Sequence, residues 1–325
     1  MATQPVAPSK PVRIGARGSK LSLAQAGHMQ RRIAALLGAD PTNAAEVEAV
    51  APLIVITTTG DRVQDRRLLE IGGKGLFTKE IEEAMIEGRI DCAIHSMKDM
   101  PALLPPGLCI AAVPEREDPR DAFLSPGAER LEDLPQGARL GTASLRRQAQ
   151  SLNRRPDLDV QMLRGNVDTR LAKLAAGEAD AILLAYAGLR RLGLGDRVRS
   201  LIDPKAVPPA PGQGALAVET READRDQPWV AGLVCETTTL CVAAERGALM
   251  ALEGSCKTPV AAHAWLDAGA LNLIVEALSP DGRLKFRRTG ATEISQLADP
   301  LASARDLGLS LGAAVKDEAG DAILL

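Results

Sequence analysis

The sequence predicts an α/β protein of two α/β lobes followed by a small α+β C-terminal domain, and three observations carry that prediction. Short apolar runs alternate with amphipathic helical stretches over roughly the first two hundred residues, the order that gives parallel strands with helices on the sheet faces. The segment DPKAVPPAPGQG then breaks every period with prolines and glycines, which marks a crossing between domains. The tail reads differently, as a helix, a hairpin with an S-P-D-G turn and a last helix. A chain of 325 residues also exceeds what one ordinary core supports.

The elements follow in order. VRIGA is a strand from Val12, residues 19–37 form an amphipathic helix closed by Gly38, and LIVITTT is the next strand. After a glycine-containing loop, residues 76–87 form a helix ended by Gly88, and DCAIH follows as a strand. Beyond the charged stretch PEREDPRD a second unit begins: ARLGT, a helix over 144–153, DVQML, a helix over 169–176, and DAILLA. ALAVE, after the proline-rich crossing, is a lone strand that returns to the first sheet. A helix over 229–252 precedes the strands VAAHAWL, LNLIVEAL and LKFRR and the final helix. The expected domains are therefore 1–114 with 215–232, then 115–214, then 233–325.

Composition excludes several functions. Net charge is -3, with only three Phe, two Trp and one Tyr; single-strand nucleic-acid binders need stacking aromatics and duplex binders a basic surface. No apolar run of about twenty residues is present to span a bilayer. The first eleven residues lack the apolar core of a signal peptide and read as a disordered tail. Five cysteines without a C-x-x-C pattern argue against a disulfide framework or zinc site and for a reducing cytoplasm. His28, His95 and His263 are too widely spaced for a local metal motif, so no metal is expected.

Against that acidic balance, arginines cluster after the strand-like runs. Arg17-Gly18-Ser19, His95 to Asp99, Thr142-Ala143-Ser144, Arg164-Gly165-Asn166 and the loop after DAILLA, with Arg190 and Arg191, all fall at strand carboxyl ends. Ligands of open parallel sheets bind there, so the expected site is a polyanion site in a cleft between two lobes. In GTASLRR, Thr142 or Ser144 caps a helix whose N-terminus favours an anion. Arg146 and Arg147 oppose that helix dipole by roughly 0.3–1 kcal/mol each, a cost that a bound carboxylate or phosphate offsets; solvated arginines on a helix face are the plain alternative.

Three further motifs carry chemistry. In HSMKDMP, Asp99 stands beside Lys98 and four residues after His95, placed either to exchange a proton and stabilise a cation or simply to cap a turn. GGKGLFTKE lacks the phosphate-loop spacing, and its Lys74 reads as a cover for a charged ligand or as a surface turn. Cys256, in EGSCKTP beside Lys257, gains thiolate character from that cation, yet by sequence physics alone it reads as an unreactive loop cysteine.

Taken together, RGSKLSLAQ, GGKGLFTKE, HSMKDMP, EREDPRDAF, GTASLRRQ, RRPDL, LRGNVDTRL, AGLRRLG, PGQGA and LEGSCKTP, in that order, make the chain resemble the porphobilinogen deaminases, also called hydroxymethylbilane synthases. The resemblance implies a transferase that joins four porphobilinogen molecules head to tail onto a dipyrromethane cofactor, with loss of ammonia, and releases hydroxymethylbilane by hydrolysis. It implies that the cofactor is thioether-linked to Cys256, reversing the reading from physics alone, and that Asp99 is the catalytic carboxylate. Lys98, Thr142, Ser144, Arg146, Arg147 and Arg170 then match cofactor-binding positions. Arg17, Ser19, Gln25, Ser96, Arg164 and Arg191 match substrate-binding positions, and Lys74 and Phe77 belong to an active-site loop. The implied fold has two lobes like a periplasmic binding protein and a third domain carrying the cofactor loop. A cytoplasmic monomer without nucleic-acid or membrane partners is expected. Ala143, Ser255 and Glu70 depart from common family residues without removing an essential group. A two-lobed anion sensor without catalysis is the rival class; it needs the arginines but neither Asp99 nor a modified Cys256.

Overall fold

The computed structural model describes residues 10–62, 77–253, 258–294 and 298–324, which divide into two compact units. Lys74 and Cys256 lie outside the described residues.

The first unit takes residues up to 115 together with 215–238. Its sheet contains β1 (Ile14–Arg17), β2 (Leu53–Ile56), β3 (Cys92–Ser96), β4 (Leu108–Ala112) and β10 (Leu216–Arg221), in the order β2-β1-β3-β10-β4. The lone strand after the proline-rich segment thus returns to this sheet and lies between β3 and β4. Pairing is parallel among β1, β2 and β3 but antiparallel on both sides of β10. The sheet is therefore mixed rather than all parallel, because β10 arrives along an extended segment instead of through a helical crossover.

Strand periodicity sorts the two faces. Ile14, Ala16, Cys92, Ile94, Leu216 and Val218 pack against Ala26, Met29 and Ile33 of α1 (Lys20–Leu36). Two short helices, α2 (Ala44–Val50) and α3 (Thr59–Arg62), come next in the chain. On the other face, Ile56, Ile90 and Ala93 meet Ile81, Ala84 and Met85 of α4 (Lys79–Ile86). That helix starts at Lys79, with Thr78 as its cap position, later than the pattern from residue 76 suggests.

In the second unit, β5 (Asp121–Leu124), β6 (Arg139–Thr142), β7 (Asp159–Met162), β8 (Ala181–Ala185) and β9 (Ser200–Leu201) form a sheet ordered β7-β6-β8-β5-β9. The helices α5 (Leu145–Arg154), α6 (Val167–Ala175) and α7 (Tyr186–Arg191) follow β6, β7 and β8 in turn. Ser144 caps α5 and Asn166 caps α6, each through a side-chain oxygen that accepts a backbone N–H.

The same unit carries the C-terminal domain. Strands β11 (Val260–Asp267), β12 (Ala270–Leu278) and β13 (Lys285–Glu293) make an antiparallel meander. Its core is closed by α9 (Glu236–Ala251) and α10 (Pro300–Ala319). The S-P-D-G turn is held by Ser279, whose hydroxyl donates to Asp281 at 2.6 Å and accepts from the Leu284 N–H at 2.9 Å.

The helix expected over 229–252 is two helices, α8 (Pro228–Ala231) and α9. Trp229, Val230 and Leu233 bury into the first unit's core, and the Cys235 N–H donates to the Val113 carbonyl at 2.9 Å. A continuous helix could not satisfy those contacts.

Candidate active site

The carboxyl ends of β1 and β3 build an open pocket in the first unit, and six residues singled out in the sequence line it: Arg17, Ser19, Gln25, Phe77, Ser96 and Asp99. Strand alternation and caps explain the convergence. Arg17 ends β1, and Ser19 caps α1 by accepting from the Ser22 N–H at 3.2 Å. The Ser22 hydroxyl accepts the Arg17 N–H at 3.1 Å, so the turn that aims Arg17 is pinned from inside the helix. Ser96, the last residue of β3, faces α1 and bonds the Gln25 side chain at 3.0 Å. The next three residues wind into a 3-10 turn, Met97–Asp99, that carries Asp99 out to the exposed rim while Met97 anchors the turn in the core.

Phe77 lies against Arg17, with the guanidinium carbon 4.1 Å from the ring centroid. That is cation–π distance, and it holds the charge flat at the pocket. Lys98 is exposed on the same turn as Asp99 but does not line the pocket.

In the second unit the cationic residues fall into two groups. Thr142, Ser144, Arg146 and Arg147 occupy the β6–α5 junction, where the Thr142 hydroxyl accepts the Ser144 N–H at 3.1 Å and Ser144 caps the helix. Arg146 and Arg147 are each about 5% exposed, because a carboxylate of the chain itself, Asp121 at the start of β5, occupies them. Arg146 Nη1 reaches it at 2.6 Å and Arg147 Nη2 at 2.7 Å; Gln213 adds a bond at 2.9 Å. The offset for placing two arginines in a first helical turn is thus an internal ion pair, not a solvated face. Burial would push the Asp121 carboxyl up, but the two guanidiniums outweigh it and hold the group far below the usual carboxylate range. Burial also pulls Arg147 down, against the pull of Asp121.

The second group comprises Arg164 after β7, Arg170 in α6 and Arg191 at the end of α7. Arg170 donates from Nε to the Gly165 carbonyl at 2.9 Å. Arg191 donates to the Gly214 carbonyl at 2.7 Å, and burial lowers its pKa against the pull of Glu117. Arg164 has a buried Nη1 with no hydrogen-bond partner among the described residues. Such a donor is costly to leave unpaired. These cations suit a ligand rich in carboxylates.

Beside the first pocket are three buried ionisable residues, of which the sequence singled out only His95, as part of HSMKDMP, and missed Glu219 and Glu82. His95 lines the pocket and places Nε2 3.0 Å from Glu219 of β10, and Glu82 of α4 lies close to both. Asp121 was missed in the same way. A charged residue inside or beside an apolar run was the available signal for Glu219 and Asp121.

An α/β unit that gathers a carboxylate, an arginine and a helix amide around the ends of its strands, in a chain whose second α/β unit carries further arginines, has the chemistry of a protein that handles a small anionic molecule. Comparison with known proteins gives the particular family. Residues 12–228 match the model described as "Porphobilinogen deaminase, dipyromethane cofactor binding domain", and residues 239–317 match "Porphobilinogen deaminase, C-terminal domain". The chain is 77% identical over 325 residues to the porphobilinogen deaminase of Phenylobacterium zucineum (strain HLK1), covering 100% of both. It is 68% identical over 316 residues to that of Caulobacter sp. (strain K31), covering 97% of this chain and 98% of the relative. The chain belongs to the porphobilinogen deaminase family and is an enzyme of tetrapyrrole synthesis with a dipyrromethane cofactor. Among solved structures it is similar to a methionine-bound nutrient binding protein from Burkholderia cenocepacia, at 15% identity and a TM-score of 0.42, over 68% of this chain and 89% of that one. Among the described residues no helix is long and apolar enough to cross a membrane.

Proposed function

We propose that the enzyme is a transferase that joins four porphobilinogen molecules head to tail with loss of ammonia and releases hydroxymethylbilane by hydrolysis, acting as a cytoplasmic monomer. The observation that carries this reading is the gathering of Asp99, Arg17, Ser19, Gln25, Ser96 and Phe77 around one pocket. Arg17, Ser19 and Gln25 hold the acetate and propionate of the incoming pyrrole, and Phe77 keeps Arg17 in place. Asp99 stabilises the cation that develops on the substrate as its aminomethyl nitrogen departs as ammonia. After the carbon–carbon bond forms, Asp99 accepts the proton released from the pyrrole carbon.

Lys98, Thr142, Ser144, Arg146, Arg147 and Arg170 serve the cofactor, with Arg146 and Arg147 acting through the Asp121 framework. Arg164 and Arg191 serve the substrate and the lengthening product. When bound through a thioether to Cys256, the dipyrromethane supplies the pyrrole carbon that takes the first substrate unit. Lys74 belongs to the loop that covers the ligand. Residues 1–114 with 215–232, 115–214 and 233–325 are the three domains of this scheme.

The test pairs two variants with intact-protein mass and turnover. Asp99→Asn should keep the mass of the two-pyrrole adduct and lose about 10^2- to 10^4-fold in kcat, whereas Cys256→Ser should lack the adduct altogether. Near-normal turnover of the first, or an intact adduct on the second, refutes the corresponding assignment.

A further inference from the structure

Behind the pocket lies a group of ionisable side chains that the proposed mechanism does not use. His95, Glu219 and Glu82 are 6%, 0% and 7% exposed. Their placement follows from the sheet. In β3 the residues facing α1 are Cys92 and Ile94, so His95 faces α4; β10 pairs Ala217 with His95 and Glu219 with Ala93, setting Glu219 diagonally beside the imidazole on that face. Glu82 comes to the same place from α4.

Counting donors exposes a deficit. Glu219 Oε2 has the His95 Nε2 at 3.0 Å; because an ionised carboxylate only accepts, Nε2 carries the hydrogen. Glu219 Oε1 and Glu82 Oε1 are both buried and have no hydrogen-bond partner among the described residues. These two buried acceptors interact electrostatically and neither has a donor in hydrogen-bond geometry, the buried Thr78 hydroxyl that bears on Glu82 being unpaired as well; a single proton supplies what they lack, because a carboxyl group donates where a carboxylate can only accept.

We infer that Glu82 is a neutral carboxyl that shares its proton with Glu219, and that this buried pair is a positioning device which orients His95 at the floor of the Asp99 pocket. The surrounding charges agree. Burial raises the Glu82 pKa, as do Glu219 and the adjacent Glu83; His95 opposes, and so does the Thr78 hydroxyl, which lies near but outside hydrogen-bond geometry. From β10, Arg221 faces the far end of α4, where it bonds the Met85 and Ile90 carbonyls and Asp91, so its charge is spent there. The other ionisable group of β3, the Cys92 thiol, lies on the opposite face and burial pushes it far up, which keeps it neutral. In the pocket itself Arg17 and Asp99 are the charged residues lining it.

The consequence for stability has a definite sign. A carboxyl whose pKa is raised by folding holds its proton longer in the folded than in the unfolded chain, so stability falls as pH rises from the ordinary carboxylate range through the raised value. Glu82→Gln keeps a donor in place of the proton and removes that slope; Glu219→Gln takes away the charged acceptor of His95.

The stability readout stands apart from the proposed reaction, whereas the effect on turnover rests on it. Thermal unfolding of the wild-type protein and Glu82→Gln across the pH range, with infrared spectra at neutral pH, tests the first. The wild type should lose stability relative to the variant as pH rises, and an un-ionised carboxyl band should be present in the wild type and missing from Glu82→Gln. Turnover tests the second: Glu219→Gln should lower kcat about tenfold or more with a smaller change in KM, while Glu82→Gln should retain the neutral-pH kcat within about threefold and extend activity to higher pH. Parallel stability curves, or the same carboxyl band in both proteins, overturn the inference. Equal kcat losses in the two variants overturn the positioning role. If Glu219→Gln does not fold, the comparison of wild type with Glu82→Gln decides. A failed Asp99→Asn prediction beside the expected stability slope would remove the reaction scheme and leave the proton-sharing pair standing.

Discussion

Asp121 is the residue on which the second sheet's cationic corner depends. Two buried guanidiniums surround it, and taking away the carboxylate they share leaves like charges facing one another in a dry site. Asp121→Asn should therefore cost roughly 3–5 kcal/mol of stability at neutral pH, measured by denaturant unfolding. The carboxylate's depressed pKa contributes stability that is fully present above the ordinary carboxylate range and is lost progressively as pH drops below it. The gap between wild type and variant should accordingly narrow in acid; a gap that stayed constant would mean that Asp121 is not the group that titrates. Arginines at 146 and 147 were conspicuous in the sequence because they break a helix-start rule, and their partner was not, because Asp121 sits at the edge of a charged run and reads as part of it. Glu82 is hidden for a similar reason: in KEIEEAMI it looks like one more solvated helix charge, and only the fold reveals that its side is the inner one.

At the level of elements, the C-terminal domain rests on an unusually close pair of helices. A Cβ at Gly308 of α10 would stand 2.0 Å from the Ala244 carbonyl oxygen of α9, and Gly247 meets the Arg305 carbonyl in the same way. Small residues on both helices let the backbones touch, and the strands of the meander then pack over them. Gly308→Val should cost roughly 1–3 kcal/mol or more through overpacking, read as a lowered unfolding midpoint; a change below about 0.5 kcal/mol would show that the helices part without penalty. The elements themselves were largely legible, since short apolar runs and amphipathic stretches identify most strands and helices and Ser144 was one of two caps offered for α5, whereas the caps at Ser19 and Asn166 were not read. What escaped were the short strands β4, β5 and β9, the short helices α2, α3 and α7, and the break between α8 and α9. Segments this short carry too little period to be read, and the break is imposed by where Trp229 and Leu233 must bury.

For the molecule as a whole, one carboxylate does the joining within the second unit. Glu245, fully buried, accepts both nitrogens of Arg116 at 2.7 and 3.1 Å, the Gly212 N–H at 2.6 Å and the Ala264 N–H at 2.8 Å. It thereby ties the segment that enters the unit and the segment that leaves it to the C-terminal sheet. Arg116→Met should destabilise by roughly 3–5 kcal/mol, seen in the unfolding midpoint, and a neutral result would assign the fastening to the backbone donors alone. Beside it Gly214, at φ 90°, would set a Cβ 2.3 Å from the Glu117 carbonyl oxygen, so the incoming and outgoing segments run together only because that side chain is missing.

The return of β10 to the middle of the first sheet also sets a timetable. β3 and β4 are finished roughly a hundred residues before Leu216 is made, an interval of about 5–20 s at ordinary synthesis rates. Until then both strands hold an open edge, and Glu219, the partner of His95, does not yet exist. The second sheet lies wholly within that interval, so it can be completed on the ribosome while the first still waits for its central strand. Long-range closure of this kind is slow, and it makes the pocket around Asp99 one of the last parts of the first unit to acquire its floor.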